Sequence, residues 1–378
     1  MPSFPFRKPL LPSHYSVWFD PPDEAGDEAL HIVSERRSLK LKGHSFREFR
    51  KSVIPLLDGS HTIEDIEKAT GDLFRAQDLL ECFSMLSEQG VLVEGDDNNL
   101  SSNVAARMAP QLNWFHDAAP GIDLQQRLIK ADVAVVGLGG AGAAVALALG
   151  AAGIGTVRCI DSSCLTLADT YMSPFLGQRD VGEGRAGSIV RLINSSAPQV
   201  KALPVDRQLS SEEDLDVSIR GADLVVCCLD ASQSNLIFKL NRVCLAHGIH
   251  WISCALAGAE IIVGPAIQPG SGPCYLCYRM RAVACAGNPE EAFAYEKYLD
   301  RRKHDDSARR ENLVFSAGLA ANFLGIEVVK QLTALCEPSL VGQILTIRLT
   351  DLAIERHTVL RKPWCPACFR REESVNGL

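Results

Sequence analysis

The sequence predicts an α/β protein: a mainly parallel sheet covered by helices on both faces, with a small winged-helix-like module in front of it. Three observations carry this. A strand, a glycine-rich turn, a helix and a second strand follow one another in the thirty-one residues 131–161, the compass of one βαβ unit. Further apolar runs ("ADLVVCCLD", "HWISCALAG") flank the helical pattern "NLIFKLNRVCLAHG", as parallel strands buried on both faces require. Upstream, residues 31–95 hold a short hairpin pattern and three amphipathic helix patterns, too few elements for the large sheet and enough for a module of their own.

The bulk numbers agree. With 378 residues, 47% hydrophobic and 22% charged, the chain is long enough for two domains and is neither fibrous nor disordered in composition. A net charge of −8 argues against nucleic acid or an anionic membrane as a general partner. The opening stretch "MPSFPFRKPLLPSHYSVWF" is broken by four prolines, and no unbroken apolar run reaches membrane-spanning length, so a cytoplasmic location is expected. Thirteen cysteines in such a chain point away from a disulfide framework and toward metal binding, catalysis or burial. Cys159, Cys227, Cys228, Cys244 and Cys254 sit in apolar runs and read as small hydrophobes.

Taken in order, residues 1 to about 30 read as an irregular, Pro-rich arm. "HIVSERRSLKLKG" suggests a hairpin, "SFREFRKSVIPLLDGS" a helix with Ser45 as N-cap and Gly59 beyond its end, and "HTIEDIEKAT" and "RAQDLLECFSMLSEQG" two more helices before a strand-like "VLVEG". Between His31 and Gly95 there are nine Lys/Arg and eleven Asp/Glu, a net of −2, which disfavours DNA binding. Peptide binding, by addition of a strand to the exposed hairpin edge, fits the charge better. The polar "EGDDNNLSSN" marks the boundary, giving domains 1–100 and 101–378.

In "VVGLGGAGAAVALAL", Gly137, Gly139 and Gly142 form a G-x-G-x-x-G between a predicted strand and helix, with Gly140 inside it. Missing side chains let phosphates approach the backbone, and the helix N-terminus supplies free N–H groups. Asp161, nineteen residues after Gly142, closes the next strand, where a carboxylate can accept both ribose hydroxyls. The fingerprint does not separate the adenosine of NAD from that of ATP.

Cys274 and Cys277 in "SGPCYLCYRM" and Cys365 and Cys368 in "KPWCPACFR" are two C-x-x-C pairs with 87 residues between them. Two such knuckles can complete a tetrahedral four-thiolate Zn²⁺ site, which would be structural because no open coordination position remains. A redox pair would need a helix starting at its first Cys, and the neighbouring Gly272, Pro273 and Pro366 suit metal knuckles better. Buried free thiols are the third reading.

Together "GLGGAG", "IDSS", "DVGEGRA", "CCLD", "GPAIQPGSGPCYLC" and "CPAC" resemble the ThiF/MoeB superfamily, the adenylating fold of ubiquitin-activating enzymes, over residues 111–369. The resemblance implies that Asp230 binds Mg²⁺ with the ATP phosphates, that Gly137, Gly139, Gly140 and Gly142 hold phosphate and adenosine, and that relatives are twofold-symmetric dimers. Within the superfamily, "RAVACAGNPEEAFAYEKYLDRR" and "HTVLRKPWCPAC" with the N-terminal module look most like enzymes that mature ribosomally made peptide natural products, whose module clamps the precursor's leader peptide. The pantocin A type, which activates glutamate side chains, suits best.

Departures from the family pattern are specific. Where adenylating members carry Asn-x-x-Arg-Gln, this chain has Asp169, Met172 and Ser173, so a phosphate-binding Arg is absent. A catalytic Lys is replaced by Arg185, which can still neutralise phosphate although its geometry differs. The Arg lent by a partner subunit aligns near Pro110, with Arg107 close by, and Arg179 is a candidate substitute. Cys285 invites comparison with a thioester cysteine, but no His lies beside it and it reads as a packing residue, as does His116. The charge run "YLDRRKHDDSARREN" reads as a solvated loop.

The expected function is thus ATP- and Mg²⁺-dependent activation of a carboxylate or amide of a precursor peptide, with Arg185 and Asp230 in the catalytic roles and Asp161 on the ribose. A catalytically silent leader-binding scaffold serving a separate YcaO cyclodehydratase is the alternative from another class. An NAD-dependent oxidoreductase would explain the glycine loop and Asp161 but not the four cysteines.

Overall fold

The computed structural model describes residues 6–22, 24, 26–95, 100–116, 121–229, 233–301 and 312–369. Asp230, Asp96–Asn99 of the expected linker and most of the charge run after Asp300 lie outside them. The chain divides into two compact units, Met1–Gln126 and Arg127–Leu378.

In the first unit, strands β1 (Pro9–Leu10), β2 (Ser16–Asp20), β3 (Glu28–Val33) and β4 (Ser38–Gly43) precede helices α1 (Phe46–Ser52), α2 (Ile63–Thr70) and α3 (Ala76–Glu88), strand β5 (Val93–Glu94) and helix α4 (Ser102–His116). Helix α5 (Gly121–Lys130) spans the division between the units. The expected β3–β4 hairpin is present, with Leu30 opposite Leu41. The arm expected to be irregular contributes a strand instead: β2 pairs antiparallel with β3 and gives a sheet of order β2-β3-β4. Its short alternating run is flanked by prolines and acids that hid it, and it is held by Trp18 stacked on His31 (ring centroids 4.9 Å apart) and by His31 Nε2 against Asp20, 2.8 Å. The "VLVEG" strand pairs with β1, not with this sheet. Leu30 and Ile32 of β3 meet Phe49, Ile66, Leu79 and Phe83 of the helices in one buried cluster. Helix α2 starts in a reciprocal Thr62–Asp65 capping box, whereas Ser45 stands at the start of α1 with φ 65° and no side-chain cap. Its expected capping bond is therefore not made, and its left-handed backbone departs from the extended conformation in which N-cap side chains reach the free N–H groups.

The second unit runs β6 (Asp132–Val136), α6 (Gly140–Ala151), β7 (Thr156–Ile160), α7 (Leu167–Met172), α8 (Arg185–Ser196), β8 (Lys201–Val205), α9 (Glu212–Ile219), β9 (Leu224–Cys227), α10 (Ser234–His247), β10 (His250–Ala257), β11 (Glu260–Ile267), α11 (Tyr275–Ala284), α12 (Pro289–Arg301), α13 (Val314–Thr333), β12 (Gln343–Arg348) and β13 (Ile354–Thr358). The sheet order is β13-β12-β11-β10-β9-β6-β7-β8. Strands β8, β7, β6, β9 and β10 are mutually parallel and the last three are antiparallel. The chain winds from β6 outward to β8 and returns to β9 on the other side of β6, so the strand order reverses between β6 and β9. In open α/β sheets ligands bind in the crevice beyond the carboxyl ends of strands at such a reversal.

Helix α6 is apolar all round and packs on α8 and α13 as well as on β6 and β7. Its small residues permit this. A Cβ on Gly142 would stand 1.8 Å from the Gly137 carbonyl oxygen, and one on Gly150 would meet Ile193 at 2.9 Å. Among the described residues no helix is long and apolar enough to cross a membrane.

Because the Gly142 clash involves backbone, Gly142→Ala should cost about 2–3 kcal/mol in a urea titration or abolish soluble expression. Gly139→Ala, with no described atom within 4 Å of the new Cβ, should shift stability by less than about 0.5 kcal/mol.

Candidate nucleotide site and four-cysteine centre

The glycine-rich turn lies where the strand reversal places it. Gly137 leaves β6 with φ 84°, a left-handed conformation suited to glycine, and its Cβ position is 3.0 Å from the Cys228 carbonyl oxygen just past β9. Gly139 is the N-cap of α6 and faces open space among the described residues, leaving the first N–H groups of the helix without a side-chain cap. Gly140 is less open: a Cβ there would meet Met172 Cε at 2.9 Å and the Ala317 Cβ at 3.3 Å. Met172, standing where the family pattern has a phosphate-binding Arg, thus lays an apolar side chain beside the turn. The Cys254 thiol donates to the Cys228 sulfur at 3.7 Å; Cys159, Cys227, Cys244 and Cys254 are buried as expected, and Cys228 is half-buried.

Asp161 follows β7 directly. Its Oδ2 accepts the Leu138 N–H of the glycine turn at 2.8 Å, and its Oδ1 accepts the Ser163 N–H at 2.8 Å. Arg185, first residue of α8, donates Nη1 to Asp161 Oδ2 at 3.1 Å and Nη2 to both oxygens of Asp169, at 3.1 and 2.9 Å. Asp169 is itself pinned, since its Oδ2 accepts from the Thr166 N–H and hydroxyl at 2.7 Å each. All three charged side chains are nearly buried, 14% exposed for Arg185, 9% for Asp161 and 12% for Asp169. Burial alone would lower the Arg185 pKa, but the two carboxylates raise it above its ordinary value, so the guanidinium is firmly charged. Its Nε has no hydrogen-bond partner among the described residues.

The structure therefore brings Gly137, Gly139, Gly140, Gly142, Asp161 and Arg185 together at one crevice. Asp230 lies outside the described residues, three positions beyond the end of β9. Sequence reasoning placed Arg185 on phosphate and did not find its bond to Asp169; the available signal was that two departures of opposite charge, Asp for Asn and Arg for Lys, occur in one site. Arg179 is 90% exposed, with only Asp180 near it among the described ion pairs, 3.9 Å away. Arg107 and Pro110 lie on α4 of the other unit. Cys285 is exposed at the end of α11, so the expected packing role is corrected: the Ala-rich helix stops there and leaves the thiol in solvent. His116 accepts the Gly121 N–H through Nδ1 at 3.1 Å.

The two C-x-x-C pairs converge. All four sulfur atoms of Cys274, Cys277, Cys365 and Cys368 lie within 4.8 Å of one another, with separations of 3.9, 3.7 and 3.7 Å for the pairs 274–277, 274–365 and 277–368. Tetrahedral Zn²⁺ with Zn–S bonds near 2.3 Å sets its ligands about 3.8 Å apart, so this donor set fits the ion. Cys274 is the N-cap of α11, and a helix does start at the first pair, contrary to the expectation drawn from Pro273. What decides against a redox dithiol is the closeness of the second pair, whose Cys365 is fully buried. The Lys362 N–H points to Cys277 Sγ at 3.4 Å. Four thiolates would close the coordination shell of such an ion.

The family described as "ThiF family" matches residues 109–367. The chain is 26% identical over 245 residues to Protein HesA of a Nostoc species, covering 65% of this chain and 87% of HesA. It is 25% identical over 252 residues to the sulfur carrier protein adenylyltransferase of Thermus thermophilus, covering 66% and 86%. Among solved structures it is similar to E. coli MccB with the MccA-N7isoASN peptide, at TM-score 0.67 and 19% identity over 95% of this chain and 99% of that one. It is also similar to PaaA, at TM-score 0.64 and 18% identity over 92% and 99%.

Purified protein should carry about one zinc ion per chain, released when the thiols are titrated with an organomercurial and counted with a chromogenic chelator. Cys365→Ser should lose the zinc and unfold at lower denaturant, whereas Cys336→Ser, exposed and remote in sequence from both knuckles, should keep both. Full zinc content in the Cys365 variant would exclude the four-thiolate site.

Proposed function

The chain belongs to the ThiF family, and from that premise we propose that it is an ATP- and Mg²⁺-dependent enzyme that matures a ribosomally made precursor peptide. The observation that carries the reading is the pairing, in one chain, of an open α6 N-terminus beside a carboxylate at the strand reversal with a separate module that presents a free strand edge. That module resembles a leader clamp. Among the described residues β4 pairs only with β3, whereas on the opposite edge Arg50 Nε already takes the Val17 carbonyl at 3.1 Å, so β4 is the edge to which a leader would add a strand. Likeness to MccB over both parts of the chain supports the same division of labour, as do solved structures of MccB with ATP and with the MccA peptide.

In this reading the glycine turn and the α6 N–H groups receive phosphate, Asp161 the ribose, and Asp230 the Mg²⁺, which screens the phosphate charge when bound. A precursor carboxylate, a glutamate side chain by likeness to the pantocin A type, attacks the α-phosphorus and releases pyrophosphate. A nucleophile of the same peptide then displaces AMP and closes a ring, its proton going to solvent. Activation of an amide, or attack on the γ-phosphorus with loss of ADP, is the variant chemistry the same residues would serve. The enzyme is proposed to act as a homodimer: Tyr171, Phe175 and Phe315 are 56%, 63% and 72% exposed, and large apolar side chains of this kind suit a subunit interface. The zinc would be structural.

One observation favours a second reading. Met172 beside Gly140 and the engagement of Arg185 with two carboxylates leave the phosphate position poorer in positive charge than the family pattern, as befits a silent leader-binding scaffold that serves a YcaO cyclodehydratase.

Calorimetric titration with Mg-ATP, with and without precursor, separates the two. Saturable binding and pyrophosphate release, both lost in Asp230→Asn while leader affinity stays within about twofold, are expected of the enzyme. Unchanged ATP consumption in Asp230→Asn would remove the assignment of that residue, and no ATP binding in any mixture would establish the scaffold.

A further inference from the structure

An ionised carboxylate offers about four lone-pair positions to donors. At Asp161 three of them are taken within the described residues: Oδ2 receives Leu138 N–H and Arg185 Nη1, and Oδ1 receives Ser163 N–H. One position is left, on Oδ1. A carboxylate at the end of the second strand of a βαβ unit ordinarily has room for both ribose hydroxyls, and here it does not. The occupant of the missing position is Arg185, and what fixes Arg185 there is Asp169: it grips Nη2 with both oxygens and is held in turn by the N–H and hydroxyl of Thr166. The Arg185 main chain is tied to the same loop, its N–H bonded to the Ser163 carbonyl at 2.9 Å. The guanidinium has little freedom to swing away.

We propose that Asp169 is a positioning residue that keeps Arg185 on Asp161, and that this chain consequently reads one ribose hydroxyl of its nucleotide through Asp161, not two. The inference rests on the ATP-site reading given above. It separates this site from one in which Arg185 leaves for the phosphates when nucleotide binds, because in that case Oδ2 is freed and both hydroxyls are bound. A hydroxyl donating to a charged acceptor is worth about tenfold or more in affinity, which sets the size of the effect.

The test compares the dissociation constants of Mg-ATP, Mg-2′-deoxy-ATP and Mg-3′-deoxy-ATP on the full-length protein by calorimetry. One deoxy analogue should bind about tenfold or more weakly than ATP and the other within about twofold of it. Asp169→Asn, which keeps the size of the side chain and removes its charge, should release Arg185 and make both analogues weak. Arg185→Met should do the same by removing the donor, and thermal melts of both variants check that the unit is folded. If both analogues are weakened in the unmodified protein, or neither is while ATP still binds, the one-hydroxyl inference is wrong and the ATP reading stands. If Asp169→Asn is folded and keeps the one-hydroxyl pattern, Asp169 does not position Arg185. Absence of ATP binding overturns the underlying reading and this inference with it.

Discussion

The larger unit is organised around a backbone contact that no side chain can interrupt. Helix α6 comes so close to the turn leaving β6 that the space of a Gly142 Cβ is filled by the Gly137 carbonyl oxygen. That approach seats α6 on the sheet and aims its first N–H groups into the crevice where the strand order reverses. It also draws β9 against β6, since the Cys228 N–H bonds to the Val136 carbonyl at 2.8 Å. A cost attaches to such glycines, because they gain no burial and surrender the most backbone freedom. The continuous apolar packing of β6, β7 and β9 around α6, with Val133, Val135, Val145 and Val226 fully buried, offsets it.

Around this frame the site is held by charge. Arg185 and the carboxylates of Asp161 and Asp169 are largely withdrawn from water, and burying ions is favourable only when they are paired and hydrogen-bonded. Here each carboxylate oxygen has at least one donor, and the pairs join the glycine turn, the end of β7, the start of α7 and the start of α8. Four segments that a parallel sheet would otherwise leave as separate loops are thereby fixed to one another. The same pairing commits the arginine, and a cation committed to two carboxylates is a weaker attractor for phosphate than a free one. Site rigidity and phosphate affinity pull in opposite directions here.

The four-cysteine centre does for the C-terminal segment what the ion pairs do for the loops. Residues after β13 have few apolar anchors, with Leu360 and Trp364 well exposed, yet Cys365 is fully buried beside Cys274. Burial pushes the Cys274 thiol up, so in a metal-free centre it would be held as a neutral thiol, whereas Zn²⁺ binds thiolates. A metal bound here would therefore be coupled to both the ionisation and the folding of the centre.

Much of this was legible in the chain itself. The period of the apolar residues, the glycine spacing and the twin C-x-x-C pairs pointed to the sheet class, the turn and the four cysteines that converge, because each is a local rule: two- and 3.6-residue periods, left-handed backbone, and a donor set with one preferred geometry. Asp161 followed from its position after the second strand. The strand β2 escaped because prolines and acids around Ser16–Asp20 outweigh a five-residue alternation. The pairing of β5 with β1, the left-handed Ser45, the exposed Cys285 and above all the clasp of Asp169 on Arg185 belong to tertiary structure. Residues sixteen positions apart, at the start of two different helices, meet only when the loops between them have folded, and an ion pair between such residues has no sequence period to announce it.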